Sequence, residues 1–573
     1  MEYNFDELVQ RKGTNSYKWD STPDAEVLPL WVADMDFRTA PEIIAAIQKR
    51  AGHGIFGYTR VPDEYYNAVT GWFGKRHGWQ MEREWIIYTS GVVPALSAII
   101  KALTVPGDRV LVQTPVYNCF FSSIRNNGCE TVSSPLIYED GTYRIDFDDF
   151  EAKAADPSVK LFLLCNPHNP TGRVWTRGEL VRIGEICLRH GVTVVADEIH
   201  CELTFSGNKY IPFASISGEF QENCITCISP SKAFNIAGLQ IANIVTSDAT
   251  IRQRIDKAIN INEVCDVNPF GIEALIAAYS EGGKWLEALK AYLYDNYIYL
   301  KEYFAEHLPM LTVTRLEGTY LVWVDCRVFG KSSEELAEEL LHGQKVWFNE
   351  GTMYGSEGDG FLRINIACPR SRLAEALERF REFCKLQEQS METALGSRIT
   401  KTLDFLTEHG IGYELHTHPP LPTIEIALEY WKDLDAVHCK NLFFRNHKGN
   451  RHYLVVFECH KELAIHDLEH SLHQGKLSFA SQERMERCLG LLPGSVSPLG
   501  LMNDIGLEGR EDVNPKELYP NGHRVKLFLD KELKDARRVS FHPCDNTASV
   551  ILSSPDFLRF LEIWGGEYEW IEV

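Results

Sequence analysis

The sequence predicts an α/β protein built on a mainly parallel sheet, with a smaller α+β region attached and a separate α+β domain after it. Three observations carry this. First, short apolar runs recur, VLVQTP (110–115), KLFLLCNP (160–167), VTVVADE (192–198) and NCITCISP (223–230), each closing on polar or proline-containing residues. Second, amphipathic stretches such as TRGELVRIGEICLRHG (176–191) lie between some of them. Continuous apolar strands separated by helices indicate a sheet covered on both faces. Third, the pattern changes after residue 396.

Taken in order, residues 1–40 read as extended and loop-like around PLWVADMDF (29–37). The strand–helix alternation follows. Residues 281–309 and 371–388 read as long amphipathic helices. EGTYLVWVDC (317–326) and GFLRINIAC (360–368) read as strands of the smaller region. A polar break near 386–396 predicts a linker, although it is not rich in Gly or Pro. Beyond it, 398–410 reads as a helix and KNLFFRNHKGNRHYLVVF (440–457) as a hairpin turning at HKGN. Twelve of the 19 histidines lie after residue 400, so composition shifts with pattern. The predicted organisation is a first domain over 1–388, a linker over 389–396 and a second domain over 397–573. Within the first, 49–280 forms the large part, and 1–48 with 281–388 the small part.

Composition narrows the function classes. The 573 residues are 44% hydrophobic and 24% charged, ordinary for a globular chain with a large core. No run of 18 apolar residues occurs, and MEYNFDELVQRKG has no apolar signal core, so no membrane association and a cytoplasmic location are expected. Fifteen cysteines then read as reduced thiols. Cys224 and Cys227 form a CxxC, but inside an apolar run without a second CxxC, which reads as a buried strand. His416 and His418 lack a third ligand at a zinc-like spacing, so no metal is expected. The formal net charge of −22 argues against nucleic-acid binding through bulk charge. Residues 391–573 hold 20 basic and 28 acidic residues, so any RNA contact there must be local.

In open α/β sheets ligands bind beyond the carboxyl ends of the strands. The residues after the apolar runs are Pro115 and Tyr117; Asn166, His168, Asn169 and Gly172; Asp197 and His200; and Ser229, Ser231 and Lys232. Such loops can share one site. A lysine, an acid, an amide donor and a helix start at Ser90–Val93 (SGVV) are the parts pyridoxal-phosphate chemistry needs. The lysine forms the imine and the acid keeps the pyridine nitrogen protonated. The amide holds the phenolic oxygen, and the helix start takes the phosphate. Lys232, Asp197, Asn169 and residues Gly91, Val92 and Val93 fill these places.

NPHNPTG (166–172), the Asp197 segment and SPSKAFN (229–235) together resemble the fold-type I aminotransferase superfamily. KWD (18–20), PLWVADMDF, GYT (57–59), YTSGVVPAL (88–96), ADEIHCEL (196–203) and SKAFNIAGLQ (231–240) are similar to its MalY/PatB branch of cystathionine β-lyase-like carbon–sulfur lyases. The resemblance covers roughly residues 1–388 and implies a mainly parallel seven-stranded sheet, pyridoxal 5′-phosphate as cofactor and a homodimer. It implies that Tyr117 stacks on the ring, that Tyr58 reaches the phosphate of the neighbouring subunit and that Ser229 and Ser231 bind phosphate on their own side. It also implies that Arg363 pairs with the substrate carboxylate. His200 either touches the cofactor or packs beside Asp197. The phosphate arginine that many aminotransferases carry eight residues after the lysine is replaced by Gln240, as in the lyase branch.

THPP (417–420), KNLFF (440–444), LSFAS (477–481), GSVSPLGLMND (494–504) and FHPCDNTASV (541–550) resemble the YbaK/ProX family of aminoacyl-tRNA deacylases, notably its prolyl-tRNA editing type. The resemblance implies hydrolysis of alanine from the acceptor end of tRNA(Pro). Lys440 and Gly494 would serve catalysis, with Pro498, His542 and Asn546 lining the pocket. A glycine loop can aim backbone N–H groups at a carbonyl oxygen.

The chain is therefore expected to eliminate thiol from amino-acid thioethers such as cystathionine or cysteine S-conjugates, releasing pyruvate and ammonia, and to deacylate mischarged tRNA. The alternatives are an aminotransferase, or a cofactor-bearing regulator whose second domain only binds.

Overall fold

In the computed structural model, residues 3–572 are described except 206, 264–266, 422–423, 433, 462–467, 470–473 and 508–512. The chain divides into two compact units, Met1–Gln387 and Glu388–Val573.

The first unit is organised by a seven-stranded sheet. Its strands are β1 (Ile86–Thr89), β2 (Arg109–Val112), β3 (Glu130–Ser133), β4 (Val159–Cys165), β5 (Thr193–Asp197), β6 (Cys224–Ile228) and β7 (Ala242–Val245), in the order β1-β7-β6-β5-β4-β2-β3. Only β7 runs against the rest, pairing antiparallel with both β1 and β6. Each residue of β6 is buried, as is every residue of β4 but Lys160. This is why these runs are apolar on both faces rather than alternating. Cys224 and Cys227 lie within β6, and the described cysteines are free thiols.

Helix α1 (Val92–Leu103) packs Val92, Ala95, Leu96, Ile99 and Ile100 onto this sheet. Helix α2 (Arg177–His190) starts on a capping box between Thr176 and Glu179 and stops at Gly191 in the left-handed conformation. Such a cap is worth about 1 kcal/mol. A second sheet of β8 (Thr312–Val313), β9 (Leu321–Asp325), β10 (Asn349–Glu350) and β11 (Phe361–Asn365) has the order β8-β9-β11-β10. Long helices α3 (Gly283–His307) and α4 (Arg370–Glu408) complete the predicted pattern. The linker expected at 389–396 lies inside α4, which is a correction. A segment with no proline and one glycine near its end carries no chain-breaking signal, and its neighbours propagate the helix through it.

The second unit is a sheet of β12 (Tyr413–Thr417), β13 (Val437–Asn446), β14 (His452–Glu458), β15 (Leu477–Phe479), β16 (Val525–Asp530), β17 (Arg538–Phe541), β18 (Ala548–Ser553) and β19 (Tyr568–Ile571). Its order is β12-β18-β17-β13-β14-β16-β19, with β15 on β13. The predicted hairpin is β13–β14, antiparallel with Lys440 opposite Phe457. Alternate residues of β14 serve two cores. Leu454 and Val456 join one cluster, and Tyr453, Val455 and Phe457 the other. No helix among the described residues is long and apolar enough to cross a membrane.

Candidate active sites

In the first unit a cavity of about 190 Å³ opens at the carboxyl ends of the strands. Ser90–Pro94, Tyr117, Asn169, Asp197, His200, Ser231 and Lys232 line it, with Ala33, Cys165, Ile199, Ala237 and Ile241. Asp197 ends β5 and is almost wholly buried. It accepts Ile199 N–H at 3.2 Å. Burial pushes its pKa up to about 7, against the opposing effects of that hydrogen bond and of Lys232. A buried carboxylate facing a cavity needs a cationic N–H opposite it, and a pyridinium supplies one.

Lys232 Nζ donates to Ala33 O at 2.7 Å. Burial lowers its pKa, Asp34 and Asp197 oppose that, and Arg363 adds to it. A lowered pKa raises the neutral, nucleophilic fraction. Ala33 also accepts the Tyr320 hydroxyl at 2.8 Å. The 32–37 segment is clamped by side-chain amides. Asn365 Nδ2 donates to Asp34 O at 2.7 Å, and Asn235 Nδ2 to Met35 O and Phe37 O, both at 2.9 Å. Asn235 has a φ of 53°, a left-handed conformation asparagine tolerates.

Asn169 follows β4, and its Oδ1 accepts Arg363 Nη1 at 3.0 Å. With the oxygen so engaged, the amide N–H₂ is the group left to donate. Arg363 Nη2 donates to Trp31 O at 2.7 Å, its guanidinium lies 4.9 Å from the centre of the Tyr354 ring, and its Nε is buried without a partner. Gly91 caps α1 with no side-chain hydrogen bond, so the first amides of the helix are open to an anion.

One residue differs from expectation in placement, and two others find their places. Ser229 does not line the cavity: its hydroxyl donates to Ile241 O at 2.6 Å and lies 2.9 Å from that of Ser231. Ser231 is thus the serine presented, and Ser229 supports it. Tyr58 is 96% exposed and lines no part of the cavity of its own chain. His200 does line it, with its ring 5.9 Å from that of Tyr320. Burial drives its pKa down to about 3, so it is a neutral imidazole. Gln240 sits in the left-handed conformation at the close of the 237–239 turn.

The second unit holds a cavity of about 430 Å³ whose lining includes Trp431, Lys440, Asn441, Phe479, Gly494 and His542. Lys440 Nζ donates to Lys461 O at 3.2 Å. Asn441 Nδ2 donates to Val496 O at 3.0 Å and ties the Gly494 loop to β13. Gly494 has a φ of +84°, and a Cβ there would stand 3.7 Å from Asn546 Nδ2. His542 Nδ1 lies 2.9 Å from Ala548 O. That contact places the proton on Nδ1 and leaves Nε2 as acceptor. Burial lowers the His542 pKa. His418 Nε2 and Trp431 Nε1 meet at Ser549 Oγ, at 2.9 and 3.1 Å. His418 is therefore engaged in the second unit's own hydrogen bonds.

Pro498 corrects the sequence reading. It is buried at the start of the 3₁₀ turn Pro498–Asn503 and does not reach the cavity, nor does Asn546 line it directly. A proline stabilises the turn by its fixed φ, which accounts for its place in the motif. Sequence reasoning missed Ala33, Asn365 and Tyr320 in the first unit and Asn441, Trp431 and Phe479 in the second. Of these, Ala33, Asn441 and Phe479 lay inside quoted motifs and Tyr320 and Asn365 inside quoted strand segments, so position in a motif was the available signal for all but Trp431.

The family model for class I and II aminotransferases matches residues 25–380, and that for the aminoacyl-tRNA editing domain matches 418–560. The chain is 44% identical over 382 residues to the cystathionine beta-lyase PatB of Bacillus subtilis, covering 66% of this chain and 99% of PatB. It is 34% identical to the protein MalY of Escherichia coli, covering 65% and 97%. The solved structure of cystalysin from Treponema denticola, which contains a pyridoxal 5′-phosphate cofactor, is 36% identical with a TM-score of 0.66, covering 67% of this chain and 99% of that one.

Proposed function

Since the chain belongs to the class I and II aminotransferase family and carries an aminoacyl-tRNA editing domain after it, we propose that it is a pyridoxal-phosphate-dependent carbon–sulfur β-lyase with a second, deacylating activity. The observation that carries the first reading is the arrangement of Asp197, Asn169 and Lys232 around one cavity, with the uncapped start of α1 on its rim. This donor set fits pyridoxal 5′-phosphate group by group. Bound there, the cofactor supplies an electron sink conjugated to the substrate Cα.

The residues do the rest. Asp197 would hold the proton of the ring nitrogen, and Asn169 would donate to the phenolic oxygen. Ser231 and the amides of residues 91–93 would hold the phosphate, and Tyr117 would pack on the ring. Arg363 would bind the substrate carboxylate through its planar fork. Lys232, partly buried with its pKa lowered, would take the Cα proton of the substrate. The Cβ–S bond breaks, sulfur leaves as thiol, and the remaining three-carbon fragment hydrolyses to pyruvate and ammonia. The exposed Tyr58 supports a homodimer in which it reaches the partner's phosphate site. The free thiols support a reducing, cytoplasmic setting.

In the second unit, water cleaves the ester between alanine and the 3′ end of tRNA(Pro), giving alanine and free tRNA. The Gly494 loop faces its carbonyl oxygen and Lys440 the terminal nucleotide. The test runs both reactions on the whole protein. Cystathionine should yield pyruvate and thiol, and alanyl-tRNA(Pro) should yield alanine. Transamination without pyruvate release would overturn the first reading. Inertness toward alanyl-tRNA(Pro) would overturn the second.

A further inference from the structure

The second unit gathers positive charge at one place in a chain whose formal net charge is −22. Arg445, near the end of β13, stands in register with His452 of β14, which is fully buried. His452 Nε2 lies 3.1 Å from Arg484 Nη1, and that same nitrogen donates to Gly449 O at 2.6 Å. Arg524 precedes β16 and is 5% exposed. Its Nη1 donates to Arg487 O at 2.8 Å, and its Nε is buried without a partner. Arg451 lies over the Tyr519 ring, 4.8 Å from its centre, and Lys448 is exposed at the hairpin turn.

Among the described residues Arg487 has a carboxylate, Glu517, at 3.1 Å. No ion pair among them joins Arg445, Arg451, Arg484 or Arg524 to an acid. Like charges held together without counter-charges repel. Here carbonyls and His452 fix the guanidiniums rather than releasing them into water. Burial, with Arg484, Arg487, Arg524 and Arg445, keeps His452 neutral. A preset group of guanidinium forks matches phosphate oxygens.

We infer that Arg445, Lys448 and Arg484 form the seat of the RNA phosphodiester backbone adjoining the 3′ end whose ester enters the Gly494 cavity. This rests on the deacylase reading. β13 provides the continuity: Phe443 lines the cavity, and Arg445, two residues on, lies on the same face about 7 Å along the strand. Phe479 lines the cavity, is 56% exposed and pairs in register with Phe444, the residue between those two. An exposed aromatic on that path offers a stacking surface to an unpaired base.

The test uses the full chain and a fluorescent acceptor-stem hairpin with a single-stranded 3′ end, titrated at several salt concentrations. Arg445→Gln/Lys448→Gln should weaken binding and flatten the log–log salt slope by about 1.4, two contacts at about 0.7 each. Arg445→Lys, which keeps the charge, should retain the slope. Hydrolysis of the alanyl ester of the hairpin should fall in parallel, while hydrolysis of alanyl-adenosine, which has no backbone, stays at the wild-type rate and shows the unit folded. An unchanged slope beside normal wild-type hydrolysis would overturn the inference. So would displacement of the hairpin by millimolar inorganic phosphate at constant ionic strength, which marks a small-anion site. Failure of the wild type on both esters would instead strike the deacylase reading, and the salt slope of the variant would still decide the backbone site.

Discussion

Arg363 Nη1 donates to Asn169 Oδ1 at 3.0 Å, so the guanidinium proposed to bind the substrate carboxylate also fixes which end of the amide is the donor. Arg363→Lys keeps the charge but loses the fork. A charge-assisted hydrogen bond is worth about 1.5–3 kcal/mol, so kcat/KM for cystathionine should fall roughly 10- to 100-fold. Most of the loss should appear in KM, read by steady-state pyruvate release.

Lys232→Ala should abolish pyruvate release and remove the near-visible absorption band of the covalently held cofactor. Persistence of that band would assign the covalent link to another lysine. Because Lys232 is only partly buried and hydrogen-bonded only to Ala33 O among the contacts above, its removal should leave the melting temperature of the cofactor-free protein within a few degrees of wild type.

Asp197 gives a pH signature in the cofactor-free protein. Its pKa rises from 3.8 unfolded to about 7 folded. The folded state therefore binds the extra proton between those values, and stability from this group is present below pH 4 and lost as pH rises toward 7. Melting temperatures of stripped protein across this window should decline less for Asp197→Asn than for wild type. Glu198, raised to about 8 by burial, continues the decline above pH 7 in both.

Gly494→Ala should impair deacylation. A side chain at a φ of +84° costs roughly 1–2 kcal/mol of backbone strain, and misdirecting an oxyanion donor costs about 100- to 1000-fold in rate. Alanine release from alanyl-tRNA(Pro) should fall on that scale while the lyase rate holds.

Tyr58→Phe should loosen cofactor retention if its hydroxyl reaches the partner's phosphate. Sedimentation should give twice the mass of the 65.3 kDa chain. A monomeric protein with undiminished cofactor affinity would contradict this reading.

The large sheet was legible because parallel strands buried on both faces are written as unbroken apolar runs, β4 and β6 above all. The strand-end residues that line the first cavity were legible for the same reason, since topology places strand ends together. The helical path of 389–396 was not, because a polar segment without Gly or Pro serves equally as linker or helix. Nor was the burial of Pro498: a motif residue that shapes a turn and one that touches a ligand are written alike.

The sequence by itself determined the two-part organisation and the sheet, and it singled out Lys232, Asp197 and Asn169 as the residues proposed to hold the cofactor, since side-chain type and local periodicity suffice for these. Only the tertiary structure decided that Ala33 O, itself held by the Tyr320 hydroxyl, holds the Lys232 amine, that Ser231 rather than Ser229 faces the cavity and that Arg363 orients Asn169. It also decided that arginines at 445, 484, 487 and 524 gather around one buried histidine. Each joins groups distant in sequence by hydrogen bonding or charge, and such pairings are fixed by packing.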